Sequence, residues 1–97
     1  MDRPTNENLI KWIKEEFDIK NINKEDLSYN FDINYNDKPI SIDFMEYPPN
    51  DSFRFIVNYK ANKSIHDITG DIHTESTREN IFKYIYNLLN IASELSN

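Results

Sequence analysis

Between Leu27 and Tyr35 the chain alternates without a break. Leu27, Tyr29, Phe31, Ile33 and Tyr35 fall on one side; Ser28, Asn30, Asp32 and Asn34 fall on the other. Successive side chains of an extended backbone point to opposite faces, so this period of two describes a half-buried strand. Asn36-Asp37-Lys38-Pro39 supplies a turn, since Asn and Asp tolerate positive φ and Pro39 would interrupt a central strand. A second strand follows, with Ile40, Ile42 and Phe44 on one face and Ser41, Asp43 and Met45 on the other. Folding the hairpin about Asp37 and Lys38 pairs Ile33 with Ile42 and Phe31 with Phe44, so the apolar residues of both strands share a face.

Tyr47-Pro48-Pro49-Asn50-Asp51 reads as a loop. The third strand then sets Phe53, Phe55, Val57 and Tyr59 against Arg54, Ile56, Asn58 and Lys60. A meander with one greasy and one wet face must be covered on a single side. Two amphipathic helices are available for this. In the first, Leu9, Ile10, Ile13 and Phe17 share one arc, Trp12 sits on its shoulder, and Pro4 with Thr5 or Asn6 provides the start. Trp12 has two readings, partial burial against the sheet or an exposed ligand-stacking role. The second helix opens on a capping box, Ser76-Thr77-Arg78-Glu79, and runs to about Leu95. Its stripe is Ile81, Phe82, Ile85, Leu88, Leu89 and Ala92. The segment from Ala61 to His73 fits neither period and holds the chain's one glycine, Gly70, where a turn is expected. The predicted fold is α+β: a two-layer sandwich of a three-stranded antiparallel meander with both helices on its apolar face, in one domain over residues 1–97.

Composition narrows the function classes. Seventeen acids against eleven basic residues give a net charge of −6, which argues against a surface built to neutralise phosphates. Fourteen Ile and fourteen Asn stand against two Ala, a bias that reads as codon usage in an A/T-rich genome. With no cysteine, disulfides and thiolate metal sites are excluded. No apolar run reaches the ~20 residues of a membrane span, and Met1-Asp2-Arg3-Pro4-Thr5-Asn6 is not a signal peptide, so a cytoplasmic location is expected. A single glycine rules out a glycine-rich phosphate loop, and no GxSxG elbow is present.

Three groups of residues stand out. The expected hairpin register places Asp32 opposite Asp43 on the wet face, with Arg54 one strand further on. Two close carboxylates resist double ionisation, the raw material of acid–base chemistry, although a solvated sheet face screens them. His66 and His73 share a segment with Asp67, Asp71 and Glu75, a set that could ligate a metal or serve hydrolysis, with generic spacing. On the second helix, Tyr84, Ile91 and Leu95 widen the apolar face on one flank, and Tyr86 adds an aromatic on the other. That width exceeds the ~100° stripe a helix on a sheet needs. The excess either contacts the first helix and Trp12 or forms a surface for a partner chain.

The order helix–β–β–β–helix is similar to that of the double-stranded RNA-binding domain, which holds phosphates with lysines at the start of its second helix. Here that position reads Thr74-Glu75-Ser76-Thr77-Arg78-Glu79-Asn80, so only the topology corresponds. The chain more closely resembles the type III secretion chaperone-like superfamily, in particular its small uncharacterised archaeal and bacterial members. The resemblance lies in the helix Leu9-Ile10-Lys11-Trp12-Ile13-Lys14-Glu15-Glu16 and the strand Tyr29-Asn30-Phe31-Asp32-Ile33-Asn34-Tyr35. It continues through Pro39-Ile40-Ser41-Ile42 and Phe55-Ile56-Val57 before a helix. It implies binding of extended protein segments, or membership among relatives with no known activity, and offers no catalytic residues. Members usually continue past the second helix, which implies a shortened or partial version of a larger domain.

The reading that follows is a non-catalytic protein-binding module, chaperone-like or dimerising, which acts through Trp12, Tyr84, Ile91 and Leu95 on a protein partner or a second copy. It needs no cofactor, nucleic acid or membrane. The alternative is a metal-binding or hydrolytic protein using the His66–His73 segment. RNA binding through the open sheet face ranks last.

Overall fold

The computed structural model describes residues 5–97. The predicted elements are joined by two more strands. The order is α1 (Asn6–Phe17), β1 (Asn23–Glu25), β2 (Ser28–Tyr35), β3 (Lys38–Tyr47), β4 (Ser52–Ala61), β5 (Ser64–His73) and α2 (Arg78–Leu95). Among the described residues five strands form one antiparallel meander in sequence order, with β1 and β5 as its edges. The α+β class stands; the three-stranded sheet does not.

Local chemistry accounts for both added strands. Asp26 takes a left-handed φ of 49°, which turns Asn23–Glu25 back onto β2. The turn leaves Leu27, expected in the apolar row, 84% exposed at the hairpin tip. Asn62 and Lys63 both adopt positive φ, 53° and 65°, and form a two-residue turn closed by Ala61 and Ser64. The segment expected as an irregular loop is therefore a full strand. Gly70 lies within it, opposite Phe55, at negative φ. Its smallness serves helix packing: a Cβ there would fall on the Tyr84 hydroxyl, with Tyr84 Cζ 2.9 Å away.

The β2–β3 turn falls on Asn36 and Asp37, with φ of 51° and 63°, and not on Asp37 and Lys38. Asn and Asp enter the left-handed region more readily than Lys, which fixes the turn there. The register consequently moves by two residues. Ile33 pairs with Ile40, Phe31 with Ile42 and Tyr29 with Phe44. An even shift keeps every side chain on its face. Phe31, Phe44 and Phe55 accordingly all point into one core, each no more than 2% exposed.

Both helices cover that face. Thr5 caps α1 by accepting a hydrogen bond from the Asn8 N–H at 3.1 Å. Pro4, the other expected start signal, lies outside the described residues. Leu9 and Ile13 are buried, and the Phe17 ring lies 5.9 Å from Phe31, 6.1 Å from Phe82 and 5.5 Å from Tyr86. The N-cap of α2 is Thr77, which accepts from Asn80 N–H at 3.2 Å. The expected Ser76–Glu79 box is one residue early, because the Ser76 N–H closes the preceding turn on the His73 carbonyl at 3.0 Å. α2 packs on β3, β4 and β5 and ends on the β4–β5 turn. There the Ser96 hydroxyl and the Asn97 N–H both donate to the Lys60 carbonyl at 3.0 Å.

Candidate functional site

The expected acid pair does not assemble. In the observed register Asp32 faces Ser41, and Asp43 faces Asn30 on one side and Ile56 on the other. Asp43 is held by two amides: Asn30 Nδ2 donates to Oδ1 at 2.9 Å and Asn58 Nδ2 to Oδ2 at 3.1 Å. Each Asp43 oxygen thus has one neutral amide donor, which ties β3 to β2 and β4. Arg54 pairs across to Asp71 on β5 by two hydrogen bonds, 2.9 and 3.1 Å, and its guanidinium lies 4.0 Å from the centre of the Tyr47 ring. The hydrogen bonds from Arg54 hold the Asp71 carboxyl below the usual carboxylate range, and the Arg54 guanidinium is correspondingly raised. A hollow of about 370 Å³ opens on this wet face among Asp32, Asn34, Ser41, Asn58, Lys60 and Ile65. Its lining carries one acid, Asp32, and one base, Lys60, among neutral residues.

The two histidines do not come together. His66 and His73 stand 73 − 66 = 7 positions apart on an extended strand, roughly 23 Å at the usual rise. Odd separation also puts them on opposite faces. The His66 ring stacks on Tyr59 at 5.6 Å, with Nε2 3.1 Å from the Ala61 carbonyl. His73 Nδ1 accepts from the Glu75 N–H at 3.1 Å. Among the described residues no three His, Asp or Glu side chains gather where a metal could sit.

The α2 residues divide into packed and exposed. Tyr84 is half-buried over Gly70, its ring 6.4 Å from Phe55. Trp12 is half-buried against the core, with the Arg78 guanidinium 5.6 Å from its ring. Arg78 also bonds Glu15 at 3.3 Å, so Trp12 joins α1 to the first turn of α2. Ile91 and Leu95, by contrast, remain 43% and 52% exposed. Thirteen positions (91 − 78) separate Arg78 from Ile91, about 20 Å of helix, so Trp12 does not belong to the same patch. The opposite flank is occupied: Tyr86 packs on Phe17 and Tyr35, and the Tyr35 hydroxyl donates to Asn90 Oδ1 at 2.6 Å.

Tyr84, Ile91 and Leu95 lie within one narrow arc of the helix, and Tyr84 sits over β5. The exposed flank of α2 therefore looks toward the free edge of the sheet. That edge, β5, falls in the segment where a loop is expected from sequence. Its signal was present: Asp67, Thr69, Asp71 and His73 alternate with Ile68, Gly70 and Ile72. The glycine suggested a turn and hid the period.

No helix among the described residues is long and apolar enough to cross a membrane. Compared with protein-family models, curated proteins and solved structures, the chain matches none.

Proposed function

We propose that the chain is a non-catalytic protein-binding module whose working surface is the β5 edge together with the exposed flank of α2. One observation carries this reading: Ile91 and Leu95 stand in water beside an edge strand of ten residues. An extended segment laid along such an edge gains main-chain hydrogen bonds, and the neighbouring apolar side chains supply burial. The resemblance to the type III secretion chaperone-like superfamily supports the same role, binding of extended protein. A cytoplasmic site of action is part of the proposal.

The test is selection from a display library of random extended peptides, followed by affinity measurement on the wild type and on Ile91→Lys. Peptides bound by the wild type should lose at least about tenfold in affinity with the variant, as truncation of an interface anchor does. The variant should unfold within a few degrees of the wild type, since Ile91 is already half in water. Failure to enrich any peptide, with no self-association either, overturns the reading.

A further inference from the structure

The two edges of the sheet are protected very differently. β1 is three residues long and carries Lys24, both common devices for blunting an edge. β5 is ten residues long, with no proline and no lysine, and pairs with β4 from Ser52–His73 to Ala61–Ser64 without a bulge. Such an edge presents its outward N–H and C=O groups as a template for another strand.

The side chains of β5 suit one template above others. In an antiparallel pair of two β5 strands about a two-fold axis normal to the sheet, residues on the same face must oppose each other. Centring the pair on Gly70 sets Asp67 against His73, Ile68 against Ile72 and Thr69 against Asp71, each twice. His73 already uses Nδ1 as an acceptor from the Glu75 N–H, so its proton is on Nε2 and is available to a facing Asp67 carboxylate. Centring on Thr69 sets Asp67 against Asp71; centring on Asp67 or Asp71 sets that carboxylate against itself. Centring on Ile68 leaves Asp71 facing Ile65. Asp71 already has its donors in Arg54, so Asp67 is the β5 acid that a partner must serve, and of these registers the Gly70 one sets it against the His73 N–H.

The same axis brings the helices together. α2 lies chiefly over β4, with β3 and β5 to either side, so with strands about 4.8 Å apart the two α2 axes come to run antiparallel at about 14 Å. That is close to the 10–12 Å diameter of a helix with its side chains. Tyr84, which lies over Gly70, then faces its own copy at the axis beside the half-buried Ile68 and Ile72, while Ile91, seven residues and about 10 Å further along α2, comes level with the start of the other copy's α2.

We infer that the partner of this surface is a second copy of the chain, joined by antiparallel β5–β5 pairing centred on Gly70 to make a continuous ten-stranded sheet. The inference rests on the protein-binding reading above and names its partner. Sedimentation equilibrium from about 5 μM to 1 mM tests it on the wild type, on His73→Asp, and on the double variant Asp67→His with His73→Asp. The wild type dimerises. His73→Asp, which opposes carboxylates at two symmetric positions, raises the dissociation constant about tenfold, and the double variant returns it to within about threefold of wild type. Hydrogen exchange on the wild type gives a readout free of any variant: amides of Ser64–His73 exchange more slowly as concentration rises. A monomer at every concentration, a dimer indifferent to His73→Asp, or a loss the double variant does not restore each overturns the pairing. A monomer that still captures extended peptides through Ile91 overturns self-pairing alone; one that captures nothing overturns the binding-module reading as well.

Discussion

Gly70 shows how one side chain of no size sets the distance between two layers. At negative φ its backbone suits any residue, so its conformational freedom is not what the position uses. The constraint is the Tyr84 ring, which occupies the space a Cβ would need. Gly70→Ala should gain somewhat less than ~1 kcal/mol by stiffening the unfolded chain and lose about 1–3 kcal/mol by overpacking. The expected net result is destabilisation of about 1–2 kcal/mol, read from urea unfolding. In a Tyr84→Ala background the same substitution should cost little or nothing, because the obstructing ring is gone. An equal cost in both backgrounds would mean the contact with Tyr84 is not the cause. The sequence pointed to Gly70 but suggested the wrong reason, because a turn and a close approach both ask for glycine.

The hairpins show how turn chemistry outranks pattern. The apolar alternation of β2 and β3 fits two registers equally well, since a shift of two residues changes no face. The choice belongs to Asn36 and Asp37, the two residues best able to adopt positive φ. The β4–β5 turn uses Asn62 and Lys63 in the same way, although lysine is a poor occupant of the left-handed region. Lys63→Gly, which creates the favoured Asn-Gly pair, should stabilise the domain by about 0.5–1 kcal/mol, raising the urea midpoint at unchanged slope. A lower midpoint would show that Lys63 contributes something other than turn geometry. The lysine also explains why this turn is hard to read from sequence: without glycine or proline, Ala61-Asn62-Lys63-Ser64 carries no strong turn signal, so nothing local marks the start of β5.

The molecule as a whole is acidic, and its pH response sums opposing effects. Protonating surface carboxylates relieves the repulsion of a net charge of −6. Asp71 works the other way. Its hydrogen bonds from Arg54 depress its pKa in the folded state, so near pH 4 the folded chain binds fewer protons there than the unfolded chain. The stability it contributes is complete above the ordinary carboxylate pKa and is lost as pH falls through the depressed folded value. Asp71→Asn should therefore lower stability at pH 7 and flatten its decline on the acid side, as measured by unfolding midpoints between pH 2 and 7. An unaltered acid limb would show that the Arg54 pair, exposed to solvent as it is, carries no net stability.

The α+β class, the two helices, three of the five strands among the described residues and, Leu27 apart, the face that the residues of those strands turn to the core follow from periodicity. Whether a side chain is wet or dry depends on local spacing along an element, and that spacing is written in the sequence. The partner across each strand, the edge position of β5 and the division of the α2 flank into a packed Tyr84 and an exposed Ile91 and Leu95 were decided only when the elements met. These depend on turn dihedrals and on contacts between residues far apart in the chain. Asp32 and Asp43 were separated by one turn shifting a single residue, and His66 and His73 by an extended strand between them. Periodicity is a property of neighbours in sequence; a binding surface is a property of neighbours in space.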